Sequence, residues 1–222
     1  MSSLWELIGI VGGIVFFGRF YVQWYVSERL KRSVVPLAFW YMSSVGVLLL
    51  LPYAVFWKQS PVGALSYAFN LVVYARNLVH IWREKGTLTP RRNTGIHVAV
   101  ALISVVAVVL VAYTWLNEFH DTRSHPPKVM AQMWLFIALG TVGQLLFGCR
   151  FLVQWVATEK ERKSVIPVAF WHLSVLASVL QIVSYVPRQE WVFALGLLAT
   201  LPVYLRNLWL IYLHKAPAPA GD

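Results

Sequence analysis

The stretch Arg19–Ser43, RFYVQWYVSERLKRSVVPLAFWYMS, returns 131 positions later as Arg150–Ser174, RFLVQWVATEKERKSVIPVAFWHLS. Thirteen of the twenty-five positions are identical, and most of the rest are mild exchanges such as Val35 for Ile166. Two copies at a fixed offset mean a duplicated structural unit. In membrane proteins built from repeats the working site lies where the repeats meet, so the site is expected there.

Around this pair the chain is 59% hydrophobic and 13% charged, far outside the soluble range. Apolar runs long enough to cross a bilayer recur from end to end, which marks an all-α polytopic membrane protein. The first run, Leu4–Tyr25, has no basic leading segment and belongs to the repeat, so it reads as a span and not as a cleaved signal. Seven spanning helices are expected: Leu4–Trp24, Pro36–Trp57, Val62–Trp82, Ile96–Leu116, Met133–Trp155, Pro167–Pro187 and Trp191–Leu213. Residues 1–85 then form the first three-helix repeat and residues 131–215 the second. Residues 86–130 supply a linker helix with an external loop, and 216–222 a disordered tail. The fourth helix, rich in Val and Ala with little polar character, returns the chain to its starting side. Both bundles therefore insert in parallel, as 3+1+3.

The formal charge is +10. Of the loop lysines and arginines, eleven fall on one side and four on the other. The excess sets the N-terminus outside and the C-terminus in the cytoplasm of a bacterial plasma membrane. Topology and anionic headgroups account for the charge, so no nucleic-acid partner is called. Cys149, the only cysteine, replaces Gly18 of the first copy and reads as a small packing residue; it excludes an intramolecular disulfide and a cysteine metal cluster. His120, Asp121 and His125 sit in the expected external linker Asn117–Lys128, but their spacing fits no ligand pattern. No metal or cofactor is called. Gly9 and Gly12 match Gly140 and Gly143, a small-residue face for close helix approach.

The candidate binding residues are polar groups inside the apolar runs. Arg19 and Arg150 lie in the first helix of each repeat, and Arg76 and Arg206 in the third, within Tyr74–Leu78 and Tyr204–Leu208. Each arginine stands roughly 8–10 Å inside the cytoplasmic end of its run. Gln23 and Gln154 follow four residues after an arginine and share its face. Tyr74 and Asn77, with Tyr204 and Asn207, make a polar stripe on each third helix. Trp40 with Ser43, and Trp171 with Ser174, add an indole and a hydroxyl from each second helix. Glu28 and Glu159 are candidate ion-pair partners near the interface. Guanidinium forks suit phosphate oxygens. The helices hold no carboxylate pair, His–carboxylate arrangement or phosphate-binding glycine loop, so no enzyme is read here.

The pattern Arg-Phe-x-x-Gln-Trp, Ser/Thr-Glu, Ser-Val-x-Pro-x-x-Phe-Trp and Tyr-x-Arg-Asn-Leu resembles the membrane module called the lipid A biosynthesis N-terminal domain. Here it appears twice, over about three quarters of the chain. That module is similar in turn to the PQ-loop and SWEET transporters, whose eukaryotic members pair three-helix units as 3+1+3. Val22-Gln23 and Val153-Gln154 stand where those proteins have Pro-Gln, and Asn77 and Asn207 resemble their paired sugar-site asparagines. The resemblance implies association with membrane glycosyltransferases and a cargo such as a polyprenyl phosphate carrying one sugar. The expectation is a flippase moving that glycolipid, or a related anionic one, from the cytoplasmic to the outer leaflet. The alternatives are a SWEET-like facilitator of free sugars and a non-transporting partner of a glycosyltransferase.

Overall fold

The computed structural model describes residues 2–30, 36–86, 89–161 and 167–215. Lys31, Arg32, Arg162, Lys163 and the tail 216–222 lie outside them. All regular structure among the described residues is helical: α1 (Ser2–Leu30), α2 (Leu37–Pro52), α3 (Pro61–Glu84), α4 (Pro90–Arg123), α5 (Pro127–Glu161), α6 (Val168–Tyr185) and α7 (Trp191–Lys215). A single π turn, Tyr53–Trp57, extends α2 just after Pro52. Proline has no N–H to close the regular ladder, and a widened turn accommodates the break.

Six of these segments are long and apolar enough to cross a bilayer, one fewer than the seven expected; the exception is α3. Its 24 residues suffice in length, but Asn70, Arg76, Asn77 and His80 dilute its apolar character. It packs against both α2 and α4, and Val62, Ala64, Tyr67, Leu71, Tyr74 and Leu78 are buried along it. A helix shielded by its neighbours has little need of an apolar surface all round.

Local chemistry fixes where helices begin. Pro36 and Pro167 precede α2 and α6 with matching extended backbones, φ −68° and ψ 155° against φ −69° and ψ 155°. Ser60 caps α3, its Oγ accepting from the Gly63 N–H at 2.9 Å, with Pro61 as the first helical residue. The turns before α3 and α7 correspond: Gln59 and Gln189 both have positive φ, 48° and 55°.

Helix ends depart further from expectation. α1 and α5 are helical as far as Leu30 and Glu161, past the apolar runs expected for them. At least about 16 Å of helix therefore follows Arg19 and Arg150. The expected external linker is also mostly helix. No Gly or Pro interrupts Asn117–Arg123, so α4 continues to Arg123 and only Ser124–Pro126 separate it from α5. This extension carries buried Glu118 and Thr122, which continue from buried Thr114, a polar side that the Val/Ala-rich reading of the fourth helix omitted.

The chain divides into two units, residues 1–134 and 135–222, with α4 in the first. In the first, α1 and α2 meet at Gly46, where an added Cβ would lie 2.6 Å from the Phe16 Cβ and 2.8 Å from its Cα. In the second, Gly143 on α5 takes that role, with the Ala177 carbonyl oxygen of α6 2.9 Å from where its Cβ would be. Cross-helix hydrogen bonds recur as well. Trp82 Nε1 donates to Tyr41 Oη at 3.0 Å, and at the equivalent positions Tyr212 Oη meets His172 Nε2 at 3.1 Å. Cys149, expected as a small packing residue, is exposed on α5, beside Arg150 in sequence.

Candidate functional site

Among the described side chains, each unit buries one arginine in a cluster of rings. Arg19 is 3% exposed. Its Cζ lies 3.5 Å from the Phe16 ring centroid, 4.8 Å from Phe20, 5.3 Å from Phe39 and 5.3 Å from Tyr74. Arg150 is 9% exposed, with Cζ 4.5 Å from Phe147, 4.8 Å from Phe151 and 5.1 Å from Phe170. The three phenylalanines of each cluster are equivalent across the repeat. Helical spacing places them: one is three residues before the arginine, one directly follows it, and the third comes from the next helix. A desolvated cation over aromatic faces gains about 2 kcal/mol or more, which offsets part of the cost of burial.

The hydrogen bonds differ between the units. Arg19 donates from Nη1 to the Phe16 carbonyl at 2.8 Å and from Nη2 to Tyr74 Oη, on α3, at 3.0 Å. Arg150 donates from Nη1 to Ser174 Oγ, on α6, at 3.0 Å. Its Nε has no hydrogen-bond acceptor, and its charge no carboxylate partner, among the described residues. Ser174 Oγ in turn donates to the Phe170 carbonyl at 2.7 Å, as its counterpart Ser43 does to the Phe39 carbonyl at 2.5 Å.

Of the other expected site residues, Tyr74 contacts Arg19 and Ser174 contacts Arg150. Trp40 packs on Tyr74 with ring centroids 6.2 Å apart, and Trp171 on Tyr204 at the same 6.2 Å. Asn77 and Asn207 are half-buried, and each turns its Nδ2 back to the carbonyl four residues earlier, Val73 or Val203, at 2.7 Å. Arg206 is half-buried. Gln23 and Gln154 are half-buried too and make no hydrogen bond among the described residues. Glu28 accepts from Trp24 Nε1 at 3.2 Å. The side chains of Arg76 and Glu159 lie outside the described residues.

Two sets of residues were missed from sequence. One is the phenylalanine cage, although its signal, an aromatic three before and one after each arginine, repeats in both copies. The other is a buried polar series in the second unit: Gln144, Ser178, Gln181 and Ser184. Gln181 Nε2 donates to Gln144 Oε1 at 2.9 Å, tying α6 to α5. Nearby in sequence, Glu190, 1% exposed, pairs with Arg188 at 2.8 Å.

With this geometry in place, comparison with known proteins is informative. The profile of the Lipid A Biosynthesis N-terminal domain family matches residues 8–79 and 139–209, more than half of the chain. The chain belongs to this family. Each match falls on one arginine cluster, so the family module and the structural repeat coincide. The chain is 33% identical over 214 residues to a lipid-A-disaccharide synthase of Chlamydia abortus, covering 92% of this chain and 32% of the relative. It is 30% identical to that of Chlamydia felis over 208 residues, 92% of this chain and 33% of the relative. It thus spans about a third of the length of these relatives, and the shared part is the N-terminal module, which is not their catalytic part. No solved structure matches the chain. Apolar helices and bacterial relatives together make it a bacterial multi-pass membrane module of the lipid A biosynthesis type.

Proposed function

We propose that this module moves an anionic glycolipid, of the polyprenyl-phosphate-linked sugar class or a related kind, from the cytoplasmic to the outer leaflet. The observation that carries the proposal is Arg150. Its guanidinium is buried within the second unit, with rings around it, one serine hydroxyl on Nη1 and no carboxylate among the described residues to neutralise it. A buried cation of this kind is costly, and a phosphate offers it both charge and fork-shaped hydrogen bonding. Arg19 would serve the phosphate likewise, with Arg76 and Arg206 as further cations. The aromatic pairs Trp40–Tyr74 and Trp171–Tyr204, with Ser43, Ser174, Asn77, Asn207, Gln23 and Gln154, would meet the sugar. Loading from the cytoplasmic leaflet requires the N-terminus outside, the direction that the loop charges favour. The relatives' name, lipid-A-disaccharide synthase, puts a glycolipid in the same setting. A 3+1+3 SWEET-like arrangement would follow from an odd linker helix between the repeats, but a neutral free sugar would leave the buried arginines without a role.

Mass spectrometry of the lipid that co-purifies with the chain tests this reading. The expected species is a phosphate-bearing glycolipid, strongly depleted in Arg150→Gln; a neutral sugar without lipid as the sole bound species would overturn it. One observation favours a second reading. The matched relatives are synthases three times as long, as expected of a module that anchors or feeds a glycosyltransferase. Purified chain in liposomes decides between the two, because leaflet transfer without any partner excludes a purely anchoring role.

A further inference from the structure

The two units are alike at the arginine and unlike beyond it. On α6, Ser174, Ser178, Gln181 and Ser184 follow at intervals of four, three and three, so they lie along one side of the helix. All four are at least 97% buried. Their counterparts in the first unit are Ser43, Val47, Leu50 and Tyr53, and Gln144 on α5 corresponds to Gly13. Only the serine nearest the arginine is common to both.

The line begins at Arg150, held by Ser174. It passes Ser178, whose hydroxyl turns to the Ser174 carbonyl at 2.8 Å, and the Gln181–Gln144 hydrogen bond between the helices. It ends at Ser184, fully buried with no hydrogen-bond partner for its hydroxyl among the described residues. From Ser174 to Ser184 is about 15 Å along the helix, half of the roughly 30 Å hydrocarbon core. An interface that only had to pack would be more stable with the first unit's valine and leucine, since a buried hydroxyl without a partner is destabilising. On the outward sides of the same helices Leu145, Leu176, Val179 and Val183 are exposed, a surface that suits a lipid chain.

We propose that the sugar-phosphate headgroup travels along this α5–α6 line of the second unit, while the lipid chain stays in the bilayer beside it. The inference rests on the transport reading above and assigns the route to one unit alone. As the headgroup advances from Arg150, its hydroxyls replace the Gln181–Gln144 hydrogen bond. Interhelical hydrogen bonds in membranes are weak on average, so the exchange is easy.

The test uses the full chain reconstituted in liposomes with a fluorescent polyprenyl-phosphate-linked monosaccharide, scoring binding and leaflet transfer separately. Ser178→Val and Ser178→Thr have nearly the same shape and differ in the hydroxyl, so a packing defect would strike both. Combined with Gln181→Leu, Ser178→Val should slow transfer at least tenfold while binding stays within twofold of the parent chain. Ser178→Thr alone should keep transfer within twofold. Equal rates for the valine and threonine variants, or transfer by the Val/Leu double variant at the parent rate, would overturn the route. Should Arg150→Gln abolish binding while that double variant transports normally, the route fails and the cargo reading survives. Unimpaired binding and transfer in Arg150→Gln would sink the cargo reading, and the route with it.

Discussion

Replacing Gly46 by alanine probes the contact that sets the first arginine cluster. The new methyl carbon would stand 2.6 Å from the Phe16 Cβ, 2.8 Å from its Cα and 3.0 Å from its backbone nitrogen. Two of those atoms are main chain, so no side-chain rotation relieves the clash and α1 must move away from α2. Overpacking of this kind costs about 1–3 kcal/mol. The movement also reaches the site, because Phe16 supplies both a ring and a carbonyl to Arg19 while Phe39 approaches from α2. Gly18→Ala is the control, since its Cβ would meet only the Met42 methyl at 3.8 Å. Equilibrium unfolding in mixed detergent, followed by tryptophan fluorescence, should show Gly46→Ala destabilised by that amount and Gly18→Ala within about 0.5 kcal/mol of the parent chain. Equal stability for the two variants would refute the close approach and the placement of Phe16 that depends on it.

The unequal hydrogen bonds of the two arginines give a second test. Tyr74→Phe and Ser174→Ala each remove a hydroxyl from a buried guanidinium and should each cost about 1.5–3 kcal/mol. Ser43→Ala, which removes only a bond to a helix carbonyl, should cost visibly less in the same unfolding assay. Cutting Phe170 to leucine removes a ring from Arg150 and should destabilise the second unit by about 1–2 kcal/mol, of which the cation–π share is absent in an Arg150→Gln background. For topology, single cysteines at Ser124 and Lys85 in a Cys149→Ala chain should react with an impermeant thiol reagent from outside and from the cytoplasm respectively. The reverse pattern would invert the proposed direction of transport.

The duplication and the four arginines were legible because both leave marks that need no structure: a fixed offset, and charges inside apolar runs. Helix ends were less legible. Hydropathy marks where the membrane environment should stop, whereas α1, α4 and α5 continue as helix some residues further, to Leu30, Arg123 and Glu161. α3 is less apolar than the six segments long and apolar enough to span, and because its neighbours shield it, it can carry Asn70 and Asn77. The site itself was read as a set of polar residues, and the structure adds the phenylalanines that hold the guanidiniums. That omission has a physical cause, since a ring beside a buried cation looks in sequence like any other core residue. The polar line on α6 could have been found by comparing the repeats position by position, because Ser178 and Gln181 stand opposite Val47 and Leu50.

Leaflet transfer measured for the parent chain and for Arg150→Gln, in liposomes free of other proteins, bears most directly on the claim that a buried guanidinium carries an anionic headgroup. Fluorescent polyprenyl-phosphate-linked sugar loaded in one leaflet should become accessible to a membrane-impermeant quencher on the other side with the parent chain, and at the protein-free background rate with Arg150→Gln. Transfer by Arg150→Gln at the parent rate, or transport of a neutral sugar at equal speed by both chains, would contradict the account.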